Sequence, residues 1–262
     1  MDLRERRELA SSAAGRHPWE LARLRVVERL LNSRLRGRQP ELILDIGCGD
    51  AFVAEELSRL FPDAHIAAVD TELDDETTES LSARLSSRRV SLYRSLDEAA
   101  AQHGPADIVL LLDVIEHIAD DVSFLQVLRS SPLVTPQTMF LITVPAHQGL
   151  FCSHDVFLGH YRRYNNTLLR DHLAAAGYET DEVGYFFFTA LGFRLLEAGK
   201  ERWQSGSSHR ATGLAAWQGG PLATTLVRLM LQADFACSRI LRRVGLRLPG
   251  LSNYALCKTS AS

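Results

Sequence analysis

Short apolar runs alternate with amphipathic segments through the middle of the chain. The runs predict five strands, at 41–47, 65–70, 89–94, 106–113 and 138–145. Later runs predict two more strands, at 178–188 and 251–260, and helical periodicity predicts helices near 50–60, before 87, near 119–130 and at 166–176. Because strand–helix alternation gives right-handed β-α-β units, the pattern predicts an α/β fold with a doubly wound, seven-stranded, mostly parallel sheet.

Two segments fall outside that alternation. An N-terminal helix is predicted at 18–35, after a charged lead, and an insertion at 190–249 separates the last two strands. The insertion contains a Gly/Ser/His loop at 205–220 and is too long for a plain connection, so it should carry structure of its own. We therefore predict four parts, an N-terminal helical cap (1–40), an α/β core (41–189), a helical insertion or lid (190–249) and a final core strand (250–262).

Composition and charge narrow the function classes. Apolar residues make up 46% of the 262 and charged residues 23%, which excludes a disordered chain. Residues 41–189 hold nine basic side chains against 24 acids, whereas 1–40 and 190–262 are basic. An acidic centre disfavours nucleic acid and suits a cationic ligand. Four scattered cysteines and the lack of an apolar leader or membrane-length run indicate a cytoplasmic protein.

The most informative motif is LILDIGCGD, a strand followed by a glycine turn. Gly47 and Gly49 let the backbone approach a ligand, but Phe52 replaces the third glycine of a dinucleotide loop and the P-loop lysine is missing. Asp45 would repel phosphate and attract an ammonium. Asp70, at the end of the second strand, is placed to accept ribose hydroxyls. A ligand with a ribose and a cationic amino-acid end but no phosphate fits, and S-adenosylmethionine is such a ligand.

The chain here resembles the class I S-adenosylmethionine-dependent methyltransferases. Their first motif, D-x-G-x-G-x-G, is matched by Asp45, Gly47 and Gly49, with Ala51 at the third glycine, and the resemblance spans about 17–187. It implies an antiparallel last strand in the sheet. It also implies a set of cofactor contacts, namely Arg23, Asp45, Gly47, Gly49, Asp70, Thr71, Ser95, Leu96, Leu112 and Asp113.

Arg23 enters that set through the family's H-x-W-x-x-x-R pattern, matched by His17, Trp19 and Arg23. The resemblance implies that Arg23 pairs with the cofactor carboxylate. Trp19 either helps to cover the site or anchors the helix as a buried aromatic.

A D-V-I-E-H box follows the fourth strand and places Asp113, Glu116 and His117 within five residues. It is similar to the E-x-x-E-H boxes that hold a divalent ion in ubiquinone-biosynthesis O-methyltransferases and small-RNA 2′-O-methyltransferases, and such ligands suit Mg²⁺ or Mn²⁺. The other interpretation, which we adopt, is that Glu116 and His117 brace the turn into the next helix without a metal.

The loop after the fifth strand, within 145–173, contains the motif H-D-x-x-x-G-H-Y-R-R-Y. This motif is similar to one in a bacterial branch of the methyltransferases. His154 or His160 is suited to take a proton from an acceptor hydroxyl. The alternative is that the His and Arg side chains tie the loop down by hydrogen bonds. As a whole, the loop is predicted to shape the acceptor pocket.

These observations predict methyl transfer from S-adenosylmethionine to a small-molecule or lipid-linked acceptor, by O-methylation, with no nucleic-acid substrate. A non-catalytic S-adenosylmethionine-binding module is the competing class. An aminopropyl transferase on the same fold would need an acidic polyamine site, which the sequence does not show.

A possible membrane contact comes from residues 221–245, which separate into two faces on a helical wheel. One face is apolar and holds Leu226, Leu229, Met230, Ala233, Ala236, Cys237, Ile240, Leu241 and Val244. The other holds Arg228, Gln232, Arg239, Arg242 and Arg243. Either the apolar face packs on the sheet and leaves the arginines in water, or the segment touches anionic lipid at the inner membrane surface.

Overall fold

The computed structural model describes residues 16–203 and 219–260, with the side chains of 197–203 left out. The charged lead before residue 16 and nearly all of the loop predicted at 205–220 lie outside the described residues. In chain order, the helices and strands are α1 (Pro18–Leu35), β1 (Leu42–Ile46), α2 (Phe52–Leu60), β2 (His65–Val69), α3 (Asp75–Leu85), β3 (Val90–Tyr93), α4 (Leu96–Gln102), β4 (Ile108–Leu112), α5 (Asp121–Arg129), β5 (Met139–Pro145), α6 (Ser153–Leu158), α7 (Asn166–Ala175), β6 (Tyr178–Phe186), α8 (Phe188–Trp203), α9 (Pro221–Arg243) and β7 (Ser252–Thr259).

Seven strands form one sheet in the order β3-β2-β1-β4-β5-β7-β6. β7 lies between β5 and β6 and runs antiparallel to both, while the other described pairings are parallel. The predicted α/β sheet and its antiparallel last strand are confirmed. β1 and β4 are adjacent, and their connections leave to opposite sides, so a crevice opens at their carboxyl ends.

Both faces of the sheet are covered by a hydrophobic core. One core contains residues of α1, α2, α3 and α9, and the other contains residues of α4, α5 and α7. Val27, Leu30 and Leu31 of α1 are fully buried in the first core. α1 is therefore built into the packing of the sheet, while the division into four parts remains a prediction.

Two segments differ from the predicted elements. β6 ends at Phe186, and α8 begins at Phe188 after Phe187, whose φ of 67° breaks the strand. The loop after β5 contains a helical turn at Gln148–Leu150 and the short helix α6. The continuous apolar run at the end of β6 and the histidine-rich run after β5 gave no sign in the sequence that the backbone changes direction there.

The predicted helix at 221–245 is present as α9, but Arg239 and Arg242 face β6, whereas Arg243 is exposed. Arg239 and Arg242 each lie 3.2 Å from Glu182 of β6. The buried Asp234 accepts hydrogen bonds from the backbone N–H (2.8 Å) and hydroxyl (3.0 Å) of Thr189. The interpretation in which the apolar face packs inward is wrong, and Arg239 and Arg242, each about one-third exposed, are engaged by Glu182.

A β-bulge explains why Glu182 faces α9. The register of β6 against β7 shifts between Thr180 and Glu182, and a bulge re-aims the side chains beside it. Glu182 thereby meets Arg34 of α1 and accepts a hydrogen bond of 2.7 Å from the Tyr254 hydroxyl of β7. One carboxylate thus connects α1, α9 and the sheet.

Candidate functional site

The glycine loop after β1 folds over the end of β2. The N–H groups of Gly47 and Cys48 donate to the Val69 carbonyl at 2.8 and 3.2 Å. Gly47 has a φ of +72°, and a Cβ built there would lie 2.6 Å from Val114 Cγ2. Only glycine fits this position, because a side chain would be strained and would displace the segment after β4.

Ala51 stands where the family motif has its third glycine. It adopts the left-handed conformation, with a φ of 55°, at the N-cap of α2. A non-glycine residue pays about 1–2 kcal/mol in that region. The loop keeps the shape of the glycine motif despite the substitution, and it does so at an energetic cost.

The Asp70 carboxylate is oriented by backbone amides. Its Oδ2 accepts from the Gly49 N–H at 2.8 Å and its Oδ1 accepts from the Glu72 N–H at 2.9 Å. Each oxygen has a further lone pair available. The half-buried carboxylate is therefore fixed beside the glycine loop and can accept two hydroxyls, while Thr71 next to it is exposed.

Asp45, at the end of β1, is buried, and its Oδ2 has no hydrogen-bond partner among the described residues. Burial raises the pKa of Asp45 to about 7; the positive charge of Arg23 opposes the rise, and the nearby carboxylates of Asp70 and Asp50 add to it. A buried carboxyl with an unpartnered oxygen and other acids nearby favours a cation. The predicted site for an ammonium group has the chemistry that such a group requires.

Arg23 does not stand free at the predicted cofactor position. Its guanidinium forms an ion pair with Asp113, and the Thr143 hydroxyl donates to the other Asp113 oxygen at 3.0 Å. Burial would lower the pKa of Arg23, but the facing Asp113 and other carboxylates raise it. Asp113 itself has a left-handed φ of 59°. The structure thus brings Arg23, Asp45 and Asp113 together at one end of the crevice.

The other predicted cofactor residues have local structural roles. The Ser95 hydroxyl caps α4 by accepting from the Glu98 N–H at 3.2 Å, Leu96 packs on the core of α4, α5 and α7, and Leu112 is buried in the opposite core. Trp19 meets Phe187 edge to face, with 5.8 Å between ring centroids. This contact supports the interpretation of Trp19 as a helix anchor.

A buried carboxylate organises the loop after β5. Asp155 accepts from His160 Nδ1 at 2.9 Å, from Arg163 Nε at 2.8 Å and from the Cys152 N–H at 2.9 Å. Burial alone would raise the pKa of Asp155, but the hydrogen bonds from His160 and Arg163 outweigh it and hold it well below its usual range. An ionised Asp155 keeps the proton of His160 on Nδ1, so Nε2 carries the lone pair.

The remaining residues of the H-Y-R-R-Y segment tie the loop to the segment after β4. Arg162 donates to the Ile118 carbonyl at 3.0 Å and pairs with Asp121 at 2.9 Å. The buried Tyr164 donates to Asp121 at 2.7 Å. For these residues, the hydrogen-bonding interpretation is confirmed.

The two candidate histidines occupy different environments. The His160 side chain is only 8% exposed and its ring meets that of His117 at 4.6 Å. His154 lies on α6, where its ring stacks on Phe157. Asp155 orients His160, and His160 lies beside the segment after β4.

Glu116, His117 and His160 form a cluster whose potential ligand atoms all lie within 4.8 Å of one another. Both Glu116 oxygens are buried without a hydrogen-bond partner among the described residues, and burial raises the pKa of Glu116 well above its usual range. These contacts do not decide between a metal site and a brace for the turn, so the metal-free interpretation of Glu116 and His117 stays a prediction. Asp113, the third member of the predicted set, is instead engaged by Arg23 and Thr143.

The roles of two residues in this region were not predicted from the sequence. Thr143 is the polar position in the apolar run of β5 and is paired in register with Leu112, which was a usable signal. Asp155 was visible in the motif, but its burial between His160 and Arg163 depends on α6, which no periodicity revealed.

The chain matches the Methyltransferase domain family over residues 18–183. A ubiquinone biosynthesis O-methyltransferase of Ruegeria sp. (strain TM1040) is 33% identical over 96 residues, which are 35% of this chain and 38% of that protein. One from Azorhizobium caulinodans is 32% identical over 102 residues, 38% of this chain and 39% of that protein. The matched region thus spans about two-fifths of the length of these relatives.

Solved structures share the fold at low identity. The plantazolicin methyltransferase BamL, in complex with an analog and SAH, has a TM-score of 0.54 at 13% identity, covering 98% of this chain and 89% of that chain. The methyltransferase domain of bacterial CtHen1-C has a TM-score of 0.52 at 14% identity, covering 92% and 99%. Because the family match covers more than half of the chain, the chain belongs to the Methyltransferase domain family, and its seven strands take the fold that these structures share.

Proposed function

We propose that the protein transfers a methyl group from S-adenosylmethionine to a hydroxyl of a small-molecule or lipid-linked acceptor. One observation carries the proposal. Asp45, which is buried with one unpartnered oxygen, and Asp70, which backbone amides hold in place, flank the glycine loop where a ligand with a cationic end and a ribose would lie. Bound there, S-adenosylmethionine supplies an already activated methyl group on its sulfonium.

In this proposal, different residues of the crevice bind different groups of the cofactor. Asp70 would accept the ribose hydroxyls, and Asp45 would face the amino group. Arg23 would take the carboxylate, which releases Asp113 from its ion pair and leaves a second acid for the ammonium. Since the donor brings its own leaving group, the protein mainly orients the two reactants.

His160 is the base that we assign to the acceptor hydroxyl. Its Nε2 carries the lone pair because Asp155 holds the proton on Nδ1, and the loop that bears it is tied to the segment after β4. His160 Nε2 would accept the hydroxyl proton as the acceptor oxygen bonds to the methyl carbon and the bond from that carbon to the donor sulfur breaks, leaving a neutral thioether. O-methylation also accords with the similarity to ubiquinone biosynthesis O-methyltransferases.

The test compares His160→Gln with His154→Gln. We expect both variants to bind S-adenosylmethionine with wild-type affinity in calorimetry. The single-turnover rate is then measured with labelled cofactor and either a catechol-type probe or a metabolite extract. In that assay, His160→Gln alone should lose about 10²–10⁴-fold in rate. Equal rates in the two variants would remove His160 from the reaction. Binding without turnover in the wild type, across all acceptors, would instead indicate a non-catalytic binding module.

A metal-assisted reaction is the second candidate, because Glu116, His117 and His160 offer two imidazoles and an unpartnered carboxylate to one point. These donors fit a divalent ion such as Mn²⁺ or Mg²⁺, which would polarise the acceptor hydroxyl. With His160 as the base, we expect full activity in excess chelator. Activity that disappears in chelator and returns with Mg²⁺ or Mn²⁺ would assign the cluster to an ion instead.

A further inference from the structure

Eleven of the fourteen large apolar side chains that are exposed among the described residues lie between Phe188 and Leu246. On α9 and its C-cap they follow helical spacing, with Leu222 82%, Leu226 68%, Leu229 52%, Met230 39%, Ile240 61% and Val244 72% exposed. Positions three or four apart share one face of a helix. We call this surface the outer face of α9.

The outer face exists because the polar side of α9 is used inside the protein. Arg239 and Arg242 are held by Glu182, and the carbonyl of Gln232 accepts from Arg29 of α1. Leu231 and Phe235 fill the core beneath them. Turning the leucines inward would break these interactions, so the exposed apolar side follows from the fold. A contiguous apolar surface of this kind usually marks an interaction site.

The neighbouring helix extends the apolar surface. α8 contacts α9 and exposes Phe193, Leu195 and Leu196, each by more than half. Arg194 of α8 donates to the Cys152 sulfur, which connects α8 to the loop that bears His160. The surface therefore adjoins the acceptor side of the candidate site.

Two arginines border the outer face. Arg243 is exposed three residues after Ile240, and Arg29 is exposed on α1, which packs along α9, while Arg25 one turn earlier is paired with Glu28. Asp234 is the one acid among the described residues of α9, and it is buried. Aliphatic and aromatic side chains bordered by arginines match the two parts of an anionic lipid surface, its acyl region and its head groups.

We infer that the outer face of α9, together with α8, docks on an anionic lipid surface. α9 lies in the plane of the interface, with its leucines among the acyl chains and Arg29 and Arg243 at the phosphates. Its 23 residues span about 35 Å, at 1.5 Å per residue, along that plane. No helix in the described part of the chain is long and apolar enough to cross a membrane. A second copy of the chain fits less well, because a two-fold contact would bring the arginine borders towards each other.

The first test is co-sedimentation with vesicles, without cofactor or acceptor, so that its outcome is separate from that of the proposed reaction. We expect binding to phosphatidylcholine vesicles with about one-third phosphatidylglycerol, weaker binding to pure phosphatidylcholine, and release as salt rises from about 0.05 M to about 0.5 M. Absence of binding at low salt would overturn the inference.

Variants locate the contact. Leu226→Gln with Leu229→Gln and Ile240→Gln should weaken vesicle binding by at least about 30-fold, whereas Val127→Gln should not, since Val127 is 70% exposed on α5 over the opposite core. Arg29→Gln and Arg243→Gln should each cost about fivefold, with Arg170→Gln on α7 as the matched control. Unchanged melting temperatures would show that these exposed positions leave folding intact.

Light scattering, read together with vesicle binding, distinguishes lipid from the other partners that could cover the outer face of α9. A wild-type dimer that the triple glutamine variant dissociates, without vesicle binding, would assign the outer face to a second copy. A monomer that does not bind vesicles would mean that the face is covered from within the chain, for example by residues 204–218. A triple variant that still sediments with anionic vesicles would place the lipid contact elsewhere.

Discussion

At the scale of single residues, the crevice depends on backbone positions that tolerate one residue type and on carboxylates whose charge the fold controls. Gly47 was assigned from the motif, and the structure adds the reason, which is its 2.6 Å approach to Val114. Asp45 was likewise assigned from the motif. The sequence did not reveal that Oδ2 of this carboxyl lacks a hydrogen-bond partner among the described residues, or that burial raises its pKa to about 7, because both depend on the tertiary structure.

Gly47→Ala should therefore disturb the ends of both β1 and β4, because Gly47 follows β1 and Val114 follows β4. The new methyl meets Val114 at a strained φ, so we expect a stability loss of about 1–3 kcal/mol and at least about tenfold weaker S-adenosylmethionine binding in calorimetry. Gly104→Ala is the matched control, because a Cβ there has no atom within 4 Å. Equal effects in the two variants would contradict the close-approach explanation.

The pKa of Asp45 gives a pH dependence with a definite sign. A folded-state pKa of about 7, above the model-compound value of 3.8, gives stability that is fully present below about pH 4 and lost as pH rises towards 7. The free energy of unfolding of the ligand-free wild type should fall by up to about 4 kcal/mol more than that of Asp45→Asn across this range. Urea unfolding at a series of pH values measures the difference. Parallel profiles would mean that folding does not raise the pKa of Asp45.

At the scale of elements, the strands and most helices were predictable because their apolar periods were unbroken, as in the run that became β4. The orientation of α9 was not. A helical wheel separates an apolar face from an arginine face, but it does not say which one packs inward. That choice is made by Glu182, a single acid on β6 turned towards α9 by a bulge that no sequence period shows.

Removing that charge should loosen α9. Glu182→Gln keeps an acceptor for Tyr254 but no longer neutralises Arg34, Arg239 and Arg242, so we expect a loss of about 1–3 kcal/mol in the free energy of unfolding. Hydrogen exchange should rise in 221–243. Asp181→Asn is the matched control, since Asp181 lies 3.9 Å from Arg34 and is more exposed, and it should cost less than about 0.5 kcal/mol. Similar losses in both variants would argue against a specific role for Glu182.

At the scale of the whole molecule, the candidate cofactor site joins elements that are distant in the chain. Arg23 comes from α1, Asp45 from β1, Asp70 from the end of β2 and Asp113 from the end of β4. α1 contributes both to the core and, through the Arg23–Asp113 pair, to the crevice. A ligand held by all four would therefore stabilise the fold as a unit rather than one loop.

S-adenosylmethionine should raise the melting temperature of the wild type. A ligand that binds only the folded state adds about 2.7 kcal/mol at a hundredfold excess over its Kd, which for a chain of this size is about 5–10 °C. Arg23→Ala should reduce that shift at the same ligand concentration, because the carboxylate loses its partner, while Arg170→Ala on α7 should retain it. If Arg23→Ala kept the full shift while still folding, α1 would be part of the core alone, and the cofactor carboxylate would have to be held by another group.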